Sequence, residues 1–330
     1  MKKFFKILLW TGLVLVLVIV VFFSYVQLSW KKTFDAPYPD IVASDDLVLI
    51  ERGKYLAYGP AHCAVCHVPF EKSMEVDAGL QMPLIGGWGE EIPGFGRFTA
   101  PNLTPDPETG IGNMTDAQLA RAIRYNVKHD GRMIPPFMLF QGMSDEDLTA
   151  VISFLRSQEP VKNVVEAPHY SFLAKALITF GMFKPLGPKE TPPAVVPKDT
   201  TALYGEYIAR HLGNCLGCHI KLDKQGNQVN ADFAGGSIFP PNPFSDGYAY
   251  VSPNLTPHAT TGIMAHWSEE AFIHRFKSGR IHKGSVMSWG CYSRMDEADL
   301  KALYRYLKSL EPVEFAVGKT VYAPGEELPK

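Results

Sequence analysis

Hydrophobic positions along the chain fall into three patterns, and each predicts a different kind of element. From Ile7 to Leu28 an almost unbroken, uncharged apolar run covers 22 residues. As a helix rising about 1.5 Å per residue it would be about 33 Å long, enough to cross a bilayer core of about 30 Å. A secretory signal would have a shorter apolar region and a small-x-small cleavage site. The stretch Phe22 to Trp30 offers none, so residues 1–32 read as an uncleaved signal anchor and transmembrane helix. Trp10, Tyr25 and Trp30 stand where interfacial aromatics are expected.

The second pattern has helical period. Leu148, Val151, Ile152 and Leu155 fall at i, i+3, i+4 and i+7, and Leu300, Leu303, Tyr304 and Leu307 repeat that stripe. These two helices should start near Ser144 and Met295-Asp296. Thr115, with Gln118 completing a capping box, and Ser268 mark the starts of two others. Opening helices are expected from Asp46 and from Thr201. Gly53 and Gly205 fall inside these, where Gly costs about 1 kcal/mol relative to Ala. A second helix crossing closely at that point accounts for the glycine; simple tolerance is the alternative. No alternation is sustained enough to suggest a sheet, so the expected class is all-α.

The third pattern lies between the helical stretches. Tyr170 to Phe183 is apolar enough for a short helix against the domains or the membrane surface, and Pro185, Pro188, Pro192, Pro193 and Pro197 then make a stiff extended strap.

Laid on itself, the chain repeats. Gly53-Lys54-Tyr55 matches Gly205-Glu206-Tyr207 at a shift of 152, as do Pro101-Asn102-Leu103-Thr104-Pro105 with Pro253-Asn254-Leu255-Thr256-Pro257 and Thr109-Gly110-Ile111 with Thr261-Gly262-Ile263. Gly131-Arg132 pairs with Gly279-Arg280 at 148, after which the shift of 152 returns at Asp147-Leu148 and Asp299-Leu300. The expected organisation is an anchor (1–32), two copies of one domain (46–160 and 200–314), a Pro-rich linker with a short helix (161–199) and a C-terminal tail (315–330).

Cys63-Ala64-Val65-Cys66-His67 and Cys215-Leu216-Gly217-Cys218-His219 share that same shift. Cys-x-x-Cys-His is the attachment signature of c-type haem: each thiol adds to a vinyl group, and the adjacent imidazole supplies an axial nitrogen. A four-thiolate zinc site would bring its clusters closer in sequence, a thioredoxin-like pair belongs beside a βαβ pattern, and neither expects His after the second Cys. Two covalently bound haem c groups are the expected cofactors. Such haem is attached outside the bacterial cytoplasm, which places both domains in the periplasm, on an inner membrane crossed once. Charge alone favours a cytoplasmic N-terminus only weakly, since Lys2, Lys3 and Lys6 precede the span and Lys31 and Lys32 follow it.

His67 and His219 occupy one axial position each. Met138 and Met287 are the candidates for the other, because both follow the paired Gly-Arg by six or seven residues, in loops before the last helix. A thioether ligand raises the potential and closes the iron to substrates. The rivals are Met143 and Met295, which also pair but fit the first turn of a helix, and His282. Cys291, the one cysteine outside the motifs, reads as a structural thiol, with iron ligation or oxidation as alternatives. The 32 basic and 34 acidic residues leave a net charge of −2 and no reason to invoke nucleic acid.

The paired haem motifs, the Asn-Leu-Thr-Pro segments, the Gly-Arg before each Met, and Met287-Ser288-Trp289-Gly290 resemble the cytochrome c subunits of membrane-bound bacterial alcohol, gluconate and aldehyde dehydrogenases. Those subunits usually carry three haems, and the two motifs here are more similar to the two-haem, membrane-anchored cytochromes of that group. The resemblance covers roughly 46–160 and 200–313. It implies periplasmic electron transfer with the partner left open, and it leaves quinone reduction in doubt. The expected function is transfer from a periplasmic dehydrogenase to a respiratory acceptor, with no catalytic residue of the chain's own. Asn102 and Asn254 would wall the haem, bind its propionates, or simply make a turn. The alternative function is a haem enzyme, either a two-haem peroxidase with an open iron position or a thiosulfate-oxidising cytochrome using Cys291.

Overall fold

Capping residues set the helices where the sequence places them. The computed structural model describes residues 2–223 and 226–329. Helix α1 (Lys2–Ser29) is the apolar run, and its residues up to Tyr25 are exposed. Helix α2 (Leu47–Tyr58) starts from Asp46, whose carboxylate accepts from Val48 N. After a short α3 (Ser73–Asp77), α4 (Asp116–Tyr125) opens on the Thr115–Gln118 capping box and α5 (Asp145–Ser157) on Ser144. The linker contributes α6 (Phe172–Thr179). The second half repeats the plan with α7 (Ala202–Tyr207), which widens into a π turn over Ile208–Leu212, then α8 (Cys215–Cys218), α9 (Glu269–Lys277), α10 (Trp289–Tyr292) and α11 (Glu297–Ser309).

The all-α expectation is corrected by two small antiparallel sheets. Strands β1 (Gly89–Ile92), β2 (Gly96–Thr99) and β3 (His169–Tyr170) form one in that order, with Glu90 opposite Phe98 and Gly96 opposite Tyr170. Strands β4 (Ile238–Phe239), β5 (Ala249–Val251) and β6 (Val321–Tyr322) form the other, with Phe239 and Val321 both opposite Tyr250. Strands of two to four residues are too short to display a period of two. In addition, β3 and β6 lie in the stretches that read as linker and tail.

Each half is organised by one helix crossing. Helix α2 packs on α5 so closely that a Cβ at Gly53 would overlap the carbonyl of Ala150, and Gly205 of α7 meets Ala302 of α11 in the same way. The stripe of α5 is buried at all four positions; that of α11 is buried at Leu300, Leu303 and Leu307, with Tyr304 partly covered. One continuous apolar cluster runs through both halves.

The halves are also joined by a reciprocal exchange of tyrosines. Tyr207 of α7 donates to Asp147 Oδ2 (2.8 Å) and accepts from Ser144 N (3.0 Å) at the start of α5. Tyr55 of α2 donates to Asp299 Oδ2 (2.6 Å) and accepts from Asp296 N (3.0 Å) at the start of α11. Each half thus helps to cap the other's last helix. Arg52 makes a bidentate ion pair with Asp147 (2.8 and 3.1 Å), whereas Lys198 from the strap stands 3.2 Å from Asp299.

Gly53→Ala and Gly205→Ala should each destabilise the fold by about 1–3 kcal/mol through overpacking, read as a lower denaturation midpoint in urea. Burial raises the Asp299 carboxyl above its ordinary value. A raised acid binds its proton more tightly when folded, so stability should fall as pH rises from the ordinary carboxylate value through the raised one. Asp299→Asn, which still accepts from Tyr55, should flatten that slope in melts recorded across acidic pH.

Candidate functional site

Both Cys-x-x-Cys-His segments follow directly from the helices that carry the crossing glycines. His62 and Asn214, the residues before the first cysteines, are left-handed at φ 42° and 50°, a conformation most side chains avoid. That reversal feeds a single helical turn in which His67 N donates to Cys63 O and His219 N to Cys215 O, both at 3.0 Å. Two thiols and an imidazole are thereby gathered on one turn in each half.

The imidazoles are buried and fixed. His67 Nδ1 lies 2.9 Å from Pro101 O, and His219 Nδ1 lies 3.0 Å from Pro253 O. A carbonyl only accepts, so Nδ1 holds the proton and Nε2 keeps its lone pair, which is the tautomer an iron ligand needs. Burial also pushes both imidazoles below their ordinary value. On the backbone side, Gly86 N donates to His67 O (3.0 Å) and Gly235 N to His219 O (2.9 Å). These glycines have φ of 73° and 74°, and a Cβ on either would overlap the very prolyl carbonyl that orients the ring.

The asparagines after those prolines make turns. Asn102 Oδ1 accepts from Thr104 N (2.9 Å) while its Nδ2 donates to Val161 O (2.8 Å), and Asn254 does the same with Thr256 N (2.9 Å) and Val313 O (2.9 Å). Of the readings open for them, the structure supplies the turn, one that also ties the prolyl segment to the chain leaving the last helix.

Met138 and Met287 are partly buried against the core, in the loops before α5 and α11. Their rivals are placed differently: Met143 and Met295 are fully buried at the entrances to those helices, and His282 is exposed. Each methionine loop and the residues after it pack on the other half near its motif. Leu139 approaches Gly217, between Cys215 and Cys218, and a Cβ at Gly142 would overlap the His211 ring. In return, Asp77 accepts from Gly290 N (3.0 Å) and from Arg280 (2.7 and 2.9 Å), and Arg294 donates to the carbonyls of Tyr58 (3.1 Å) and Val76. Tyr292 reaches the approach to each motif: its ring centroid is 5.7 Å from that of His62, and its hydroxyl donates to Gly213 O at 2.6 Å. Pro101, Pro253, Asp77, Arg294 and Tyr292 were not singled out from sequence. For the prolines the signal was present in the repeat, but a main-chain carbonyl leaves no trace in residue type.

Burial pushes the thiols of Cys63 and Cys215 up to about 12. The four motif thiols form no disulfide. Among the described residues no three His, Cys, Asp or Glu side chains converge as for a directly bound ion. One turn presenting two free thiols and a buried imidazole with Nε2 available fits a covalently attached haem.

Two thiols and an imidazole with a free Nε2 on one turn are the donor set of c-type haem attachment. Residues 50–159 match the cytochrome c family, and the chain carries a cytochrome c domain there. Across 84% of its length it is 30% identical to the cytochrome c subunit of the quinone alcohol dehydrogenase of Komagataeibacter europaeus, of which it covers 59%. It is 30% identical over 86% of its length to the gluconate 2-dehydrogenase cytochrome c subunit of Pantoea cypripedii, covering 64% of it. A diheme cytochrome c-type protein of Cereibacter sphaeroides is 26% identical over 76% of the chain, with 83% of that protein covered. The chain therefore spans about three-fifths of the length of the alcohol dehydrogenase subunits that it matches.

Cys291 is fully buried beside Tyr292, and burial pushes its thiol up to about 12 against the opposing influence of Arg294. In the native protein at neutral pH it should resist iodoacetamide, and it should be alkylated completely once the chain is denatured, as read by peptide mass spectrometry.

Proposed function

We propose that this chain is a membrane-anchored two-haem cytochrome c that carries electrons from a periplasmic dehydrogenase to a respiratory acceptor. The observation that carries this reading is that the motif is built twice with the same supports: the left-handed residue before it, the glycine on the histidine carbonyl and the prolyl oxygen on Nδ1. On this reading Cys63 and Cys66 attach one haem and Cys215 and Cys218 the other. His67 and His219 would each supply an imidazole ligand to an iron, and Met138 and Met287 a thioether ligand. Haem held between imidazole and thioether supplies one-electron exchange at a closed iron.

The chain's own part is positional. The prolyl carbonyls hold each Nδ1 proton and so leave the Nε2 lone pair free, where it would serve an iron. Leu139 of the first methionine loop, against Gly217, and Tyr292, beside His62, lie between the two halves. Helix α1 supplies the anchor, with both halves on the periplasmic side. The relatives support a dehydrogenase as donor, since they include cytochrome subunits of alcohol, gluconate and fructose dehydrogenases.

The test uses the full-length protein. Peptide mass mapping should find porphyrin on the Cys63–Cys66 and Cys215–Cys218 peptides. The iron–thioether band of the oxidised protein should fall by about half in Met138→Ala and again by about half in Met287→Ala, one ligand of two being lost each time. An unchanged spectrum removes that ligand. Rapid peroxide binding by the resting protein would replace the carrier with a haem enzyme.

A further inference from the structure

Helix α6 is pinned at one end to the first half and along its length to α1. Ser171 N donates to Phe95 O (2.8 Å) and Ser171 Oγ to Gly94 O (2.6 Å), while β3 just before it pairs with β2. On α1, Phe23 stacks on Phe172 with ring centroids 4.2 Å apart, and Phe22 stacks on Phe180 at 6.0 Å. Lys175 donates to Gln27 Oε1 (3.2 Å) and sits 5.2 Å from the Trp30 ring. Lys32 donates to Thr179 O (2.8 Å), a cation at the helix C-terminus where the dipole favours one. The chain leaving α1 is held as well, through Phe34 N on Gly131 O (2.7 Å).

The outward side of this corner is apolar. Leu173 is 49% exposed, Phe180 51% and Met182 65%, and they continue the exposed aromatic collar of Phe22, Phe23 and Tyr25 on α1. A patch of this kind marks an interaction site. The apolar phase continuous with it is the one that surrounds α1. The depth agrees: Phe22 lies six residues inside Leu28, roughly 9 Å along the helix axis, and interfacial helices sit about 5–10 Å into the headgroup and acyl boundary.

We propose that α6, with Met182 after it, is a second membrane contact, an interfacial helix lying in the bilayer surface beside α1 that fixes the first half at a set tilt to the membrane. This inference rests on α1 being a membrane span. Lys32 and Lys175 face the headgroups at that level, and the tie to β2 and β3 transmits the orientation to the first half.

The experiment is photolabelling of the full-length protein in vesicles of phosphatidylethanolamine and phosphatidylglycerol doped with a phospholipid bearing a diazirine in its acyl chain, with adducts mapped by mass spectrometry. Adducts are expected on α1 and within residues 171–186. The second set should drop several-fold in a Leu173→Asp, Phe180→Asp, Met182→Asp variant whose haem absorption and α1 labelling are unchanged; Leu173→Asp alone gives the same reading if the triple variant fails to fold. Labelling of α1 with residues 171–186 no more modified than the exposed Val229 and Ile281 of the second half overturns the proposal while leaving the span intact. An unlabelled α1 overturns the span itself, and this contact with it.

Discussion

The crossing of two helices through glycine is the constraint on which the rest of this molecule depends. With Gly53 against the carbonyl of Ala150, and Gly205 against that of Ala302, each opening helix lies directly on the backbone of the last one. Only that separation brings the end of the opening helix, and so the Cys-x-x-Cys-His turn, against the core built by the last helix. It also fixes where Tyr55 and Tyr207 emerge, each two residues, about half a turn, after its glycine, so that each reaches across to the partner half's final helix. Site and interface are therefore consequences of a single close contact made twice.

Symmetry between the halves is imperfect in an instructive way. At the position equivalent to Arg52 stands Tyr204, whose hydroxyl accepts from Arg52 itself (3.3 Å). Asp147 thus receives a guanidinium from its own half, and Asp299 must take its cation, Lys198, from the strap between the halves. A buried carboxylate without a partner is costly. The proline-rich strap consequently does more than connect, since its end delivers the charge that its neighbour lacks. The two Gly-Arg pairs diverge likewise: Arg132 turns back to Asp130, while Arg280 crosses to Asp77.

Much of this was legible in the sequence because it is written in side-chain identity. The caps at Asp46, Thr115, Ser144, Thr201, Ser268 and Asp296 and the stripes of α5 and α11 all carry local chemistry, and the helices begin where they say. The crossing glycines were legible through the cost they would otherwise incur. What could not be read was carried by the main chain or by distance. β3 and β6 are two residues each and pair with strands about 70 residues away, which no local period announces. The prolyl oxygens on His67 and His219 belong to a backbone group that every residue possesses. Tyr292 reaches His62 from more than 200 residues away, a contact that no local pattern announces.

Domains joined in one chain are free to move unless their interface is large and well bonded, and here opening it would strand a set of buried polar groups. Tyr55 and Tyr207 would lose their carboxylates, Asp77 would lose both Arg280 and the Gly290 amide, and Arg294 would lose the carbonyls of Tyr58 and Val76. Leaving one such group unpaired in a buried place costs about 1–3 kcal/mol, so losing them together weighs heavily against separation. A hinged pair of halves would suit a protein that must admit and close on a substrate. Halves locked by such bonds hold their two Cys-x-x-Cys-His turns at a constant separation, which the proposed transfer between two fixed centres requires. The bonding across the interface thus argues for the carrier over the enzyme on grounds independent of the ligand set.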